Sequence, residues 1–152
     1  MSLARRAAAW LSAVLPAAAF AQPCSGVVYL TFDTGNMRHA ESIAETLRRH
    51  DVKATFFLAN EKTTRGDHSL DAAWAGYWKQ LAAEGHAFGS HTWRHGRIGP
   101  DAADGAVKYR PTFGQDEGRT ITLSATDFCA ELKRPDAAFR EFTGRPLDAL
   151  WR

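Results

Sequence analysis

Cysteine is scarce in this chain: Cys24 and Cys129 are the only two in 152 residues. One disulfide is therefore the most it can hold. An oxidising compartment would permit that pairing, and two buried, unpaired thiols are the equal alternative. Long apolar runs are lacking as well. The one candidate, residues 7–20, is short for a bilayer and contains Pro16, so no stable membrane span is expected. Charge of one sign is also missing. Lys and Arg total 19 against 17 Asp and Glu, and two of those cations are Arg5 and Arg6 in the leader. Without them the balance is 17 to 17, which leaves no positive footprint for nucleic acid.

What is present begins with that leader. Arg5 and Arg6 head the apolar run, and Ala19-Phe20-Ala21 closes it as a small-x-small cleavage site. Residues 1–21 read as a signal peptide cut after Ala21, with a periplasmic or secreted destination. Gln22-Pro23 in front of Cys24 fits a lipobox poorly. Taking 21 residues from 152 leaves 131, enough for one modest core and hardly for two domains.

The order of patterns predicts an α/β fold. Residues 27–32 are apolar without alternation, as a strand covered on both faces would be. Gly35-Asn36 breaks that run, with Asn36 as the expected N-cap of a helix whose apolar face is Ala40, Ile43, Ala44 and Leu47. Residues 54–58 return to strand character. Leu70, Trp74, Trp78 and Leu81 mark a second helix stopped by Gly85, and residues 87–90 form a third strand. Residues 96–122 have no sustained period and read as a long loop near the site, either touching substrate or lying on the surface. Ser124 with Asp127 resembles a capping box ahead of Phe128, Leu132, Phe139 and Phe142, a helix kinked or interrupted at Pro135. Residues 147–151 head toward a fourth strand. Alternating strands and helices imply a parallel sheet with right-handed crossovers, and chemistry at the C-terminal strand ends.

Two such ends carry chemically capable residues. Asp33 follows the first strand, where it can accept a proton or cap a turn. His91 and His95, four apart, follow the third, and both imidazoles can reach one ion. An H-x-x-x-H pair alone is weak, and a strand-end aspartate strengthens it. His39, His50, His68 and His86 fall on helix surfaces or beside turns and receive no role.

Thr31-Phe32-Asp33-Thr34-Gly35 and Gly89-Ser90-His91 through His95, in this strand-helix order, resemble the polysaccharide deacetylase family, the carbohydrate esterases related to chitin and peptidoglycan deacetylases. The resemblance covers about residues 27–152 and implies an incomplete, distorted (β/α) barrel of seven or eight parallel strands with crossover helices. Residues 22–152 are then the N-terminal portion of the catalytic domain, truncated at the family's third motif, R-x-P-[FY], for which Arg152 supplies the arginine. The resemblance further implies metal-dependent hydrolysis of N- or O-acetyl groups on an acetylated polysaccharide or oligosaccharide. His91 and His95 would ligate zinc (cobalt and nickel being alternatives), Asp33 would be the general base, and Arg152 would orient it. The family's second aspartate is Thr34 here, so the third ligand is left among Thr34, Asp33, Asn36 and water. With later strands and the family's distal histidine absent, little turnover is expected of this segment alone.

Two rival readings compete. Asp33-Thr34-Gly35 matches the signature of aspartic proteases, whose paired aspartates share a proton within all-β lobes. A non-catalytic glycan-binding remnant would use Trp74, Tyr77, Trp78, Trp93 or Trp151 as stacking surfaces, Trp74 and Trp78 being better placed in the core.

Overall fold

A computed structural model describes residues 26–152. Residues 1–21, expected to be a signal peptide, and Cys24 lie outside the described residues. Strand β1 (Thr31–Asp33), helix α1 (Ala40–Arg49), β2 (Thr55–Leu58), α2 (Ala75–Ala83) and β3 (Ala87–Ser90) follow one another. The three strands form a parallel sheet in the order β1-β2-β3. A second sheet of β4 (Arg97–Asp101), β5 (Val107–Arg110) and β6 (Ile121–Leu123) is antiparallel, and α3 (Ala125–Thr143) closes the series. The α/β class with crossover helices is present. Among the described residues the parallel strands make an open sheet rather than a closed barrel.

The parallel register aligns Phe32, Phe56 and Phe88 across the sheet, with ring centroids 5.4 and 5.8 Å apart. This row, with Leu58, faces a core built from Ala40, Ala44 and Leu47 of α1 and from Trp78 and Leu81 of α2. Phe139 of α3 meets Phe88 at 4.5 Å. Each large aromatic buried here contributes about 1.5–3 kcal/mol of transfer free energy before entropy is charged against it. The next register row is Asp33, Phe57 and Gly89, whose side chains alternate onto the other face. A Cβ at Gly89 would stand 2.7 Å from the Phe57 ring and 2.8 Å from the Leu150 carbonyl oxygen. Glycine thus lets residues 148–152 lie against β3. There the Ser90 amide donates to Leu150, and the Arg152 amide to Ser90. The fourth strand amounts to this ladder and one parallel bridge, Ser90 with Trp151.

Several expectations need correction. Residues 27–30 are not strand, and Val27, Val28 and Tyr29 are exposed. Pairing starts at Thr31 with Thr55, so residues 27–29 run past the end of β2 with no neighbouring strand among the described residues. Asn36 does not cap α1. Its Oδ1 closes a local turn on the Arg38 amide at 3.1 Å, and His39 takes the cap position without a side-chain bond. Leu70 precedes α2 and packs into the core from an irregular segment. The expected loop 96–122 holds the second sheet. Its signal escaped because β4 is exposed along its whole length, carries Pro100 and a bulge, and shows no alternation. Helix α3 runs uninterrupted through Pro135, and Ser124 caps its start, its Oγ accepting from the Asp127 amide and donating to the Asp127 carboxylate. Cys129 is exposed on α3 rather than buried.

His86 is not a surface residue either. Its ring is buried, and Nδ1 accepts the Ala54 amide at 3.1 Å, so the neutral ring caps the start of β2. Burial holds its pKa below the ordinary 6.5, against the raising pull of Glu84. The unfolded chain then binds this proton first as pH falls. The contribution of His86 to stability is complete above about pH 6.5 and declines as pH falls from there through the lowered folded value. Urea unfolding at neutral and mildly acidic pH should show this loss in the native chain, and a flatter profile in His86→Asn, whose amide oxygen can still accept from Ala54.

Candidate active site

Asp33 ends β1, and the loop carrying His91 and His95 leaves β3 at the same edge of the sheet. That loop is stapled on several sides. The His91 amide donates to Leu58, the Asn60 amide to Trp93, and the Trp93 amide to Glu131 of α3. The buried Thr92 hydroxyl meets the Tyr109 hydroxyl at 2.9 Å and accepts the Gly96 amide at 3.1 Å. Arg94 pairs with Glu131 through two nitrogens, at 3.0 and 2.9 Å, with both side chains largely buried. Thr92 and His95 have φ of 60° and 45°, the sparsely populated left-handed region for a residue with a Cβ. Such strain persists only where surrounding contacts over-determine it, and these contacts do so. Gly96 lies against the Tyr109 ring, where a Cβ would stand 2.0 Å from ring carbon. Tyr109 of the second sheet, overlooked in the sequence, and Glu131 of α3 therefore hold this loop from outside.

Four of the singled-out side chains come together. Asp33 Oδ2 lies 3.8 Å from His91 Nε2 and 3.1 Å from Arg152 Nη2. The other Arg152 nitrogen donates to Thr31 Oγ1 at 2.9 Å, so the guanidinium bridges two residues of β1. The His91 and His95 ring centroids are 4.4 Å apart. His91 Nδ1 is 2.7 Å from the main-chain oxygen of Arg152, an acceptor only. The proton of neutral His91 therefore sits on Nδ1, and the Nε2 lone pair faces Asp33.

Two other suggested ligands are otherwise engaged. The buried Thr34 hydroxyl donates to the Ala59 carbonyl at 3.1 Å and accepts its amide at 2.7 Å. Asn36 Oδ1 is held by Arg38. Sequence reasoning missed Glu61. It leaves β2 as Asp33 leaves β1, and an acid just after an apolar strand was the signal that could have found it. Its Oε1 is 2.5 Å from His95 Nδ1, while Oε2 is buried without a hydrogen-bond partner. This hydrogen bond raises the His95 pKa above its ordinary value, against the opposing effect of burial.

The site's donors suit a borderline divalent ion in kind: two imidazoles, with one lone pair aimed at a carboxylate. As the side chains lie, no three His, Cys, Asp or Glu among the described residues are grouped closely enough to hold an ion. A cleft of about 210 Å³ borders Asp33 and is lined by Met37, Ile43 and Tyr77, but it reaches neither histidine. The converging side chains mark the site better than this cavity does.

A parallel β-α-β sheet with a carboxylate and two imidazoles at one strand-end edge defines an α/β protein of the class that works at its strand ends. More particularly, the chain belongs to the polysaccharide deacetylase family, whose profile matches residues 21–152. It is 38% identical over 69 residues to a peptidoglycan-N-acetylglucosamine deacetylase of Bacillus cereus, covering 45% of this chain and 22% of that protein. To the chitin deacetylase of Colletotrichum lindemuthianum it is 30% identical over 121 residues, covering 78% of this chain and 38% of that protein. The structure of PdaA from Bacillus subtilis, a family 4 carbohydrate esterase, matches with TM-score 0.53 at 22% identity, over 82% of this chain and 41% of that one. The chain spans less than half the length of these curated relatives. The aspartic protease reading loses its support, since Asp33 ends a parallel strand followed by a helix rather than lying in an all-β lobe.

Glu131 anchors the histidine loop through Arg94, Tyr109 and the Trp93 amide. Glu131→Ala leaves a largely buried Arg94 unpaired and should cost about 3 kcal/mol in urea unfolding. Truncating exposed Asp127 or Asp104 should cost far less.

Proposed function

We propose that this chain contributes the metal-binding and proton-accepting half of an enzyme that hydrolyses N- or O-acetyl groups from a polysaccharide or oligosaccharide. One observation carries the reading: His91 Nε2 and Arg152 both face the same oxygen of Asp33, at 3.8 and 3.1 Å. His91 and His95 would hold the ion, zinc by preference and cobalt or nickel as alternatives, with solvent or Asp33 completing the set. Bound there, a divalent cation supplies Lewis acidity that polarises a carbonyl and acidifies water.

The residues' own part follows from their positions. Asp33 takes a proton from the water that adds to the acetyl carbonyl. The bond from carbonyl carbon to sugar nitrogen or oxygen then breaks, the proton goes to the departing amine or hydroxyl, and acetate is released. Arg152 holds the Asp33 carboxylate in place while its second nitrogen is anchored on Thr31. Relatives named for peptidoglycan and chitin support a wall polymer as substrate. Export directed by residues 1–21 rests on Arg5-Arg6, the apolar run and the Ala19-Phe20-Ala21 pattern. No described helix is long and apolar enough to cross a membrane.

Three parallel strands with one bridged segment form among the described residues, and the chain covers less than half the length of these relatives. The proposed activity needs more of the fold than these three strands supply, so residues 22–152 alone turn over little. Assaying that segment on chito-oligosaccharide with and without zinc should give no metal-dependent acetate release, and a clear metal-dependent rate overturns this part. A second reading, glycan binding without turnover, has one favourable observation. Trp151 is 53% exposed next to Arg152, while Trp74 and Trp78 are buried in the core and unavailable.

Zinc titration tests the metal site directly. Thr34→Asp should tighten zinc binding at least about tenfold, or 1.4 kcal/mol, by adding an anionic ligand. His91→Ala should abolish binding in both backgrounds. Unchanged affinity in both variants would remove the site from Asp33, His91 and His95.

A further inference from the structure

Glu61 is held rigidly beside the two imidazoles. Its amide donates to Ser69 Oγ at 3.1 Å and its carbonyl accepts the Ser69 amide at 2.8 Å, with Ser69 fully buried. The preceding residue, Asn60, bonds the Trp93 carbonyl, which ties this turn to the histidine loop. The carboxylate itself lies between His95 and the Asp33-Thr34-Gly35 turn: Oε1 is 2.5 Å from His95 Nδ1, and Oε2 would be 3.7 Å from a Cβ on Gly35.

We propose that Glu61 is a positioning residue, whose carboxylate holds His95 with Nδ1 protonated and so leaves Nε2 as the nitrogen that takes a divalent cation. The inference rests on the reading of His91 and His95 as ligands. A carboxylate can only accept, so the ring proton belongs on Nδ1, as it does in His91 opposite the Arg152 oxygen. Both rings are thereby set with Nε2 lone pairs free. An anion on the far nitrogen also makes an imidazole a more basic ligand. That matters here because Thr34 is neutral and its hydroxyl is committed to Ala59. Glu61 is not itself a ligand in this arrangement. The two nitrogens of an imidazole point apart, so an ion on Nε2 lies across the ring from Oε1.

Nitrogen-15 NMR of the metal-free chain above neutral pH reads the tautomer, and zinc titration reads the consequence. His95 should be the Nδ1–H form in the native chain and shift toward Nε2–H in Glu61→Ala. Glu61→Gln, whose amide oxygen still accepts, should keep Nδ1–H. Zinc binding should weaken about 10–100-fold in Glu61→Ala and less in Glu61→Gln. If the alanine variant does not fold by circular dichroism, the glutamine variant decides, with the native tautomer and a several-fold weaker zinc affinity expected. A native His95 in the Nε2–H form overturns the proposal. So does native zinc affinity in a folded Glu61→Ala, which leaves the metal reading standing. A native chain with the Nδ1–H tautomer that binds no zinc instead overturns the metal reading, and the cation half of this proposal with it.

Discussion

Register between three parallel strands governs this molecule. Pairing Phe32 with Phe56 and Phe88 buries one row of rings against α1, α2 and α3, and that burial is the main stabilising term of the sheet. Because side chains alternate, the same pairing sends the next row, Asp33, Phe57 and Gly89, to the opposite face. A slip of one residue would expose the phenylalanines and draw Asp33 into the core. The energetics of the apolar row thus hold the carboxylate at the strand-end edge where His91 arrives.

The polar site draws its rigidity from elsewhere. His91 and His95 sit on a loop with two left-handed residues, a conformation costing about 1–3 kcal/mol at each. Tyr109 from β5 and Glu131 from α3 offset that cost through Thr92, Gly96, Arg94 and the Trp93 amide. Arg152 completes the arrangement from the segment laid along β3. It reaches Asp33 with its side chain and His91 with its main-chain oxygen. Parts of the chain some sixty and a hundred and twenty residues from Asp33 are therefore needed before its carboxylate has any setting.

Legibility in the sequence followed burial. The apolar face of α1 was readable because it alternates with an exposed side, and strands β2 and β3 because each is a short apolar run buried along most of its length. The antiparallel sheet was not: β4 is exposed throughout, and only Tyr109 of β5 is fully buried, so no periodicity marks it. The unpaired start of β1 was read as covered, because composition does not show where a neighbouring strand begins. Asp33, His91 and His95 stood out by residue type and position and Arg152 through its family motif, while Glu61 passed unnoticed although it is an acid placed shortly after an apolar strand.

Residue type and local spacing by themselves pointed to the class of chemistry expected: one strand-end acid and two imidazoles four apart. Local spacing also settled the helix faces, since a 3.6-residue period needs only neighbouring residues. Which nitrogen of each imidazole is free, that Thr34 is spent on Ala59, and that Glu61 stands behind His95 were decided by the tertiary structure alone. Each of those facts is a hydrogen bond between residues more than twenty positions apart, and only the packed fold brings such partners within 3.1 Å.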